Sequence, residues 1–421
     1  MGATTARDWL RQQLGRQLWV RPTIASLLSV GMASGAYWVG RSFDAKVDFD
    51  IDEPALVSLL SIFASSMLSV ATFTVAAIVT AASSASNSTT PRASRLILAD
   101  NKAQIVLSAF IAAFIHSIVA IFALKAFHYG NSGRFLLFVG LIVLVAFVLV
   151  SFINWVDHAM KLGRQSNTIG RLTDAALDCI TAANVGTWGA RMYDGGPPVA
   201  ALDVASPEIG YVTAIDLAKL QSIADDLGSA VYLTVRPGGF IDMTTAIAHV
   251  SPASEAVRDR IDDIATAFRI DPQRDYGADV RFGFVNLAET ADRALSPGIN
   301  DPGTAITILG RQLQLMARWA EAARQAGELE IVHDRVFVPP LKAVEIVRDS
   351  FTPIARDGAG AVEVGIRLQK TLASVARLGD AALREVAVEM SRVALQMAEA
   401  SLVADAHKDL VRKAAAGVGA A

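Results

Sequence analysis

Hydroxyl side chains recur along one otherwise apolar stretch of this chain: Ser58, Ser61, Ser65, Ser69 and Thr72, then Thr80 after Ala76. Steps of three and four residues put them on one face of a helix, with Leu59, Ile62, Phe63, Leu68, Val70, Val75, Ile78 and Val79 around the remainder. Two kinds of chemistry suit such a stripe. Small hydroxyl residues let helices approach closely and bond across the contact or back to their own preceding turn. The same oxygens can also face water along an ion path that carries no fixed charge to trap the ion. One stripe per chain cannot enclose a path, so the second reading requires a ring of identical subunits.

Three further groups invite a functional reading. Asp44, Asp48, Asp50, Asp52 and Glu53 precede the stripe; acids at an outer mouth would concentrate cations, while a solvated turn is the plainer account. His116 lies beside Ser117 in another apolar run, where an ionisable side chain is either a proton-sensitive gate or a neutral histidine bonded to a neighbouring helix. Residues 293–305 read RALSPGINDPGTA. There Pro297 and Gly298 stop one helix, with Gly298 expected to take the left-handed turn, and Asp301 followed by Pro302 starts the next as N-cap and N1. Ser296, Asn300, Asp301 and Thr304 then form a polar cluster that could hold a cation or a polar ligand, although carboxylates are few.

The elements that must position these residues follow from composition. Hydrophobic residues make up 52% of the 421 and charged residues 19%, too apolar for an ordinary soluble chain of this length. Runs free of Asp, Glu, Lys and Arg cover residues 22–40, 54–91, 103–124 and 135–156. A helix rising ~1.5 Å per residue crosses ~30 Å of hydrocarbon in about 20 residues, so four transmembrane helices are expected. Arg7, Arg11, Arg16 and Arg21 precede the first run, Arg92, Arg95 and Lys102 separate the second and third, and Lys161 and Arg164 follow the fourth. The positive-inside rule then places both termini in the cytoplasm. Trp19, Trp38 and Trp155 fall where an aromatic belt would sit.

The domain reading is therefore a cytoplasmic segment at 1–21, a four-helix membrane domain at 22–157 and a cytoplasmic domain at 158–421. The fourth helix is expected to run on through 158–177, before a break at Gly195-Gly196-Pro197-Pro198. A small β-containing module occupies about 205–250: strand 211–215, a helix at 216–227 with Asp216 as N-cap, and strand 230–236 ending at Pro237-Gly238-Gly239. The RPGGF turn is similar to those of barrel-sandwich modules that carry biotin or lipoate, but no lysine stands in the hairpin, so that function is set aside. A helical bundle is expected over about 252–415, with helices at 253–268, 282–295, 302–326 and several from 341 to 411. A strand pair, 329–332 and 336–338, should turn at His333-Asp334.

At ALSPGINDPGTA the chain resembles a bacterial membrane-protein family designated domain of unknown function 2254. The resemblance extends to residues 83–100 with their Pro91-Arg92, to GYV…ID, to RPGGF and to the order of four spans before a cytoplasmic domain, so it covers nearly the whole chain. The chain departs from the family pattern in having SNSTTPR where relatives carry a more apolar and aromatic SSQFSPR, and Gly303 where an aromatic residue is common. No established activity comes with the resemblance.

Function classes narrow accordingly. A net charge of −3 gives no argument for nucleic acid as partner, and Cys179, the one cysteine, rules out intrachain disulfides and cysteine-cluster metal sites. No Gly-rich phosphate loop, Gly-x-Ser-x-Gly elbow or His-Glu-x-x-His pair is present, so the reading leans away from an enzyme, with no cofactor or metal implied. The expectation is a polytopic α-helical membrane protein with a mainly α, α+β cytoplasmic C-terminal domain. Its partners would be the bilayer, inorganic ions and copies of itself. As an oligomeric, cation-favouring channel, its second helix would line the path through Ser58, Ser61, Ser65, Ser69, Thr72, Ala76 and Thr80. A membrane-anchored sensor or scaffold without a pore is the alternative.

Overall fold

A computed structural model describes residues 20–42, 51–88, 101–127, 129–159, 165–196, 198–379 and 381–419. The chain divides into two compact units, one ending at Thr168 and the other beginning at Ile169.

The first unit holds α1 (Val20–Ser42), α2 (Glu53–Ser88), α3 (Asn101–Ala126) and α4 (Asn131–Ala159). Among the described residues, three helices are long and apolar enough to cross a membrane, within Glu53–Ser84, Gln104–Ala126 and Asn131–Val156. The run at 22–40 does form a helix, α1, but it is not one of these three: Thr23, Ser26, Ser29, Ser34 and three glycines dilute its apolar content, with Arg21 and Arg41 near its ends. It packs on α3 and α4. The 36 residues of α2 measure about 54 Å at ~1.5 Å each, well beyond a ~30 Å hydrocarbon core.

Leu56, Leu60, Ala64, Met67, Ala71, Thr74, Ile78 and Ala81 are the buried face of α2. Their partners include Val106, Leu107, Phe110 and Ala113 of α3 at one end and Ala120 and Leu124 at the other, with Leu137, Leu141 and Val148 of α4 closing the clusters. Trp155 joins this core at 2% exposure. It therefore does not belong to an interfacial belt as its position suggested, because α4 turns that side of the helix inward. Trp38 is exposed, and Trp19 lies outside the described residues.

The second unit is α+β. After α5 (Gln165–Cys179) and α6 (Ala182–Val185) come β1 (Ala190–Met192), β2 (Leu202–Ala205) and β3 (Gly210–Ile215). Next are α7 (Leu217–Leu227), β4 (Ala230–Leu233), β5 (Phe240–Ile241), β6 (Ala246–Ser251), α8 (Glu255–Asp259), α9 (Ile261–Ala265) and β7 (Phe268–Asp271). The chain continues through α10 (Val280–Leu295), α11 (Pro302–Ala326), β8 (His333–Val338), α12 (Ala343–Asp357), α13 (Val362–Val375), α14 (Ala381–Ser401) and α15 (Asp405–Gly419).

One sheet has the order β1-β8-β4-β6-β2, with β8 parallel to both neighbours and the remaining pairs antiparallel; the other is antiparallel, β5-β3-β7. Leu217, Leu220, Ile223 and Ala224 of α7 join Val231, Val250 and Val336 in one core. Helix α7 starts where Asp216 accepts the Lys219 N–H and ends at Gly228 with φ 61°, as the sequence pattern indicates.

Two elements differ from expectation. The helix at 253–268 is broken into α8 and α9 at Arg260, and Phe268 begins a strand, because β3 offers it an edge to pair with. No strand pair turns at His333-Asp334: residues 333–338 form a single strand, inserted between β1 and β4. The sheets thus take strands from well beyond residues 205–250. Helix α4 stops at Ala159 and α5 starts at Gln165, with residues 160–164 outside the described ones, so the continuous helix expected through 158–177 is described only on either side of that gap.

Candidate functional site

Ser58, Ser61, Ser65, Ser69, Thr72, Ala76 and Thr80 are all exposed on the membrane unit. At 100° per residue their stripe lies roughly 160° around the helix from the buried face, so the chain's own helices leave it uncovered. The hydroxyl hydrogens are committed internally: Ser61 Oγ donates to Val57 O (2.8 Å), Ser65 to Ser61 O and Ile62 O (3.0 Å each), Ser69 to Ser65 O (3.0 Å) and Thr72 to Leu68 O (2.9 Å). Each oxygen keeps acceptor capacity on the outer surface. Leu59, Ile62, Leu68, Val75 and Val79 are exposed beside the stripe.

His116 is buried at 2% exposure, bonded to the Ser29 backbone of α1, and its Nε2 has no partner among the described residues. Ser117 beside it donates to Ala113 O (2.8 Å). Of the acidic loop, Asp44, Asp48 and Asp50 lie outside the described residues. Asp52 is exposed and accepts the Leu56 N–H through its backbone oxygen (3.1 Å), and Glu53 stands in the first turn of α2, where a negative charge suits the helix dipole. Arg92 and Arg95 also fall outside the described residues.

The corner at 296–304 brings its four polar residues close in sequence but gives them separate tasks. Ser296 Oγ donates to Arg293 O (2.7 Å). The Ile299 and Asn300 N–H groups both reach Ser296 O, at 3.0 and 2.8 Å, and Asp301 N–H closes on Ala294 O at 2.7 Å. The left-handed residue is Asn300, φ 50°, and not Gly298. Ser296 leaves the helix in an extended conformation, so the reversal that brings Asp301 back to Ala294 is made several residues after the helix ends, and asparagine tolerates it. Asp301 caps α11: Oδ1 accepts the Thr304 N–H (3.0 Å) and Oδ2 the Thr304 hydroxyl (2.6 Å). Those bonds, the hydroxyl first, hold its carboxyl below the usual carboxylate range. One turn upstream, Asp292 meets Arg356 at 2.9 Å, and Arg356 also holds Asp357. Burial first, then Asp357, pushes the Asp292 carboxyl up to about 6.

A cleft of about 630 Å³ lies elsewhere in the second unit, around the RPGGF turn. Gly239 N–H reaches Arg236 O (3.0 Å), with Pro237 and Gly238 (φ 93°) at the centre, a type II turn between β4 and β5. A Cβ on Gly238 would overlap the Asp279 carboxylate, so the position admits glycine on two counts. Asp279 is itself 2% exposed and paired with Arg274 through two bonds, at 2.6 and 2.9 Å; burial raises its carboxyl pKa despite that partner. The sequence offered RPGGF as a turn signal, but not the cleft, because its other walls come from residues 184–196, 274–281 and 339–345. Cys179 is buried, and burial followed by the charges of Asp279 and Asp275 pushes its thiol up to about 12. Among the described residues no three His, Cys, Asp or Glu side chains converge as a metal site.

Comparison with known proteins matches residues 15–374 to a family described as predicted membrane protein and designated DUF2254. This chain belongs to the DUF2254 family. Two uncharacterized proteins, one from Mycobacterium bovis and one from Mycobacterium tuberculosis, are each similar at 22% identity over 312 residues, covering 69% of this chain and 58% of theirs. The chain thus spans less than two thirds of those relatives' length. No solved structure matches it. The DUF2254 assignment agrees with helices able to span a membrane and brings no reaction with it.

Proposed function

We propose that this protein is a homo-oligomeric ion channel of the bacterial inner membrane, favouring cations. In this reading α2 lines the path and the C-terminal unit assembles or gates it. The observation that carries it is the hydroxyl stripe, which stays exposed opposite the buried face of α2. Its donors are spent on the preceding turn, and its outward oxygens offer acceptors without a fixed charge, the chemistry that passes a cation without trapping it. The polar stripe is a candidate lining only if neighbouring copies bring several such helices around one axis. Four spans with both termini cytoplasmic, as the arginine distribution directs, put Asp52 and Glu53 at the outer mouth. His116, whose Nε2 has no partner among the described residues, is the candidate gate.

A sensor or scaffold without a pore is the second reading, favoured by the cleft around Arg236. The discriminating experiment replaces Ser65 or Ser69 by leucine. Leucine is at least as favourable as serine in a bilayer, by a few tenths of a kcal/mol, so insertion should hold. The channel reading predicts unchanged oligomer mass with strongly reduced single-channel conductance in planar bilayers. Full conductance from both assembled variants removes this face from the path.

A further inference from the structure

The cleft around the RPGGF turn has an unbalanced charge at one defined point. Four cations line it: Arg236, Arg274, Arg281 and Lys342. Three of them have carboxylate partners, Arg274 with Asp279 (2.6 Å), Arg281 with Glu345 and Asp349 (2.7 Å each), and Lys342 with Asp194 (3.0 Å). Arg236 has none among the described residues. Its Nη1 donates to Pro339 O (2.8 Å), its Nη2 to Asn184 O and Gly186 O (2.7 Å each), and the guanidinium stands 4.5 Å from the Trp188 ring. Carbonyl dipoles and a ring quadrupole fix the group in place but supply no net charge. Burial lowers its pKa to about 10, which leaves it protonated at neutral pH. A partly desolvated cation held rigidly and without a counter-charge favours an anion beside it.

The rest of the wall is aromatic. Tyr193 and Tyr232 pack edge to face at 4.9 Å between centroids, and Tyr211 and Phe240 do so at 5.2 Å. All four line the cleft, and the Tyr211 and Tyr232 hydroxyls have no protein partner among the described residues. A volume of about 630 Å³ falls within the ~300–1,000 Å³ usual for small-molecule sites.

We propose that this cleft binds a small organic anion carrying a flat ring, its phosphate or carboxylate on Arg236 and its ring against the tyrosines. Three guanidinium hydrogens are held by carbonyls, which leaves the Nε–H and the second Nη1 hydrogen as charged donors for the head group, and tyrosines supply both flat contact area and hydroxyl donors. The site stands whether or not α2 lines a pore.

The test is equilibrium dialysis of the full chain in detergent against AMP, adenosine and 4-hydroxybenzoate. Gly196 lines the cleft, and a Cβ there meets nothing within 4 Å, so Gly196→Asp adds a negative charge to the wall without disturbing its packing. The expected result is saturable binding, one per chain, of AMP or 4-hydroxybenzoate, at least tenfold tighter than adenosine. Gly196→Asp and Arg236→Gln should each weaken it tenfold or more, and Gly196→Ala should leave it unchanged. Because Arg236 also ties down residues 184–186, the comparison of the two Gly196 variants is the decisive one. Binding of AMP assigns a phosphate head, and binding of 4-hydroxybenzoate alone a carboxylate. Saturable binding of neither, or binding that Gly196→Asp leaves untouched, overturns the proposal.

Discussion

Replacing Asp301 by alanine removes both acceptors that hold the first turn of α11, the one for the Thr304 N–H at 3.0 Å and the one for its hydroxyl at 2.6 Å. Loss of an N-cap costs typically ~1 kcal/mol, within a range of about 0.5–2. The Thr304 hydroxyl adds little, since it can turn to water. For a unit of this size 1 kcal/mol shifts the unfolding midpoint by about 2–4 °C, readable by circular dichroism of the purified chain. Asp301→Asn keeps an acceptor and should lose only a fraction of that. The pH dependence has a definite sign. The Asp301 carboxyl is depressed in the folded state, so its contribution is complete above its unfolded value of about 3.9 and is lost as pH falls through the lower folded value. The gap between wild type and Asp301→Ala should therefore be constant from about pH 6 to 8 and close below about pH 4. An unchanged midpoint at neutral pH, or a gap that widens with acid, refutes the assignment of this corner to capping.

Further outcomes follow from the same unit. Asn300→Val forces a β-branched residue to φ 50° and should lower the midpoint by several degrees, whereas Asn300→Gly should not; equal effects would exclude backbone strain there. A Cβ on Gly283 of α10 would overlap the Ala176 Cβ of α5, so Gly283→Ala should destabilise by about 1–3 kcal/mol from overpacking, less ~1 regained in helix propensity, measured by denaturant titration. Asp292, raised to about 6 by burial and Asp357, is the opposite case to Asp301: the folded state holds its proton more tightly, so stability rises as pH falls from about 6 towards 4. Thermal scans of Asp292→Asn should lack that rise, and a pH-independent difference from wild type would count against the interaction of Asp292 with Asp357.

Where local chemistry decides a boundary, it could be read directly from residues. Asp216 and Gly228 bracket α7, and Asp301-Pro302 opens α11 at the residue expected. The alternation of exposed Ser65 and Ser69 with buried Ala64 and Met67 is a helical period that needs no tertiary information. Where partners are distant, the pattern misled. Phe268 continues an apolar period yet pairs with Ile215 of β3, and 329–338 reads as a strand pair turning at His333-Asp334 although β8 pairs with β1 and β4. Trp155 has the sequence position of an interfacial anchor and is core, because only packing determines which side of α4 faces inward. The cleft was hidden for the same reason. Tyr193, Tyr232, Arg274 and Lys342 meet only after both sheets form, and nothing in the RPGGF stretch itself announces that Arg236 has no carboxylate beside it.

Conduction through the serine face of α2 is tested most simply by ionic current. Wild-type protein of known oligomer mass, reconstituted in a planar bilayer under a potassium chloride gradient, should show discrete openings that reverse near the potassium equilibrium potential. Silence from an intact oligomer across voltage and pH, or reversal near the chloride potential, contradicts it.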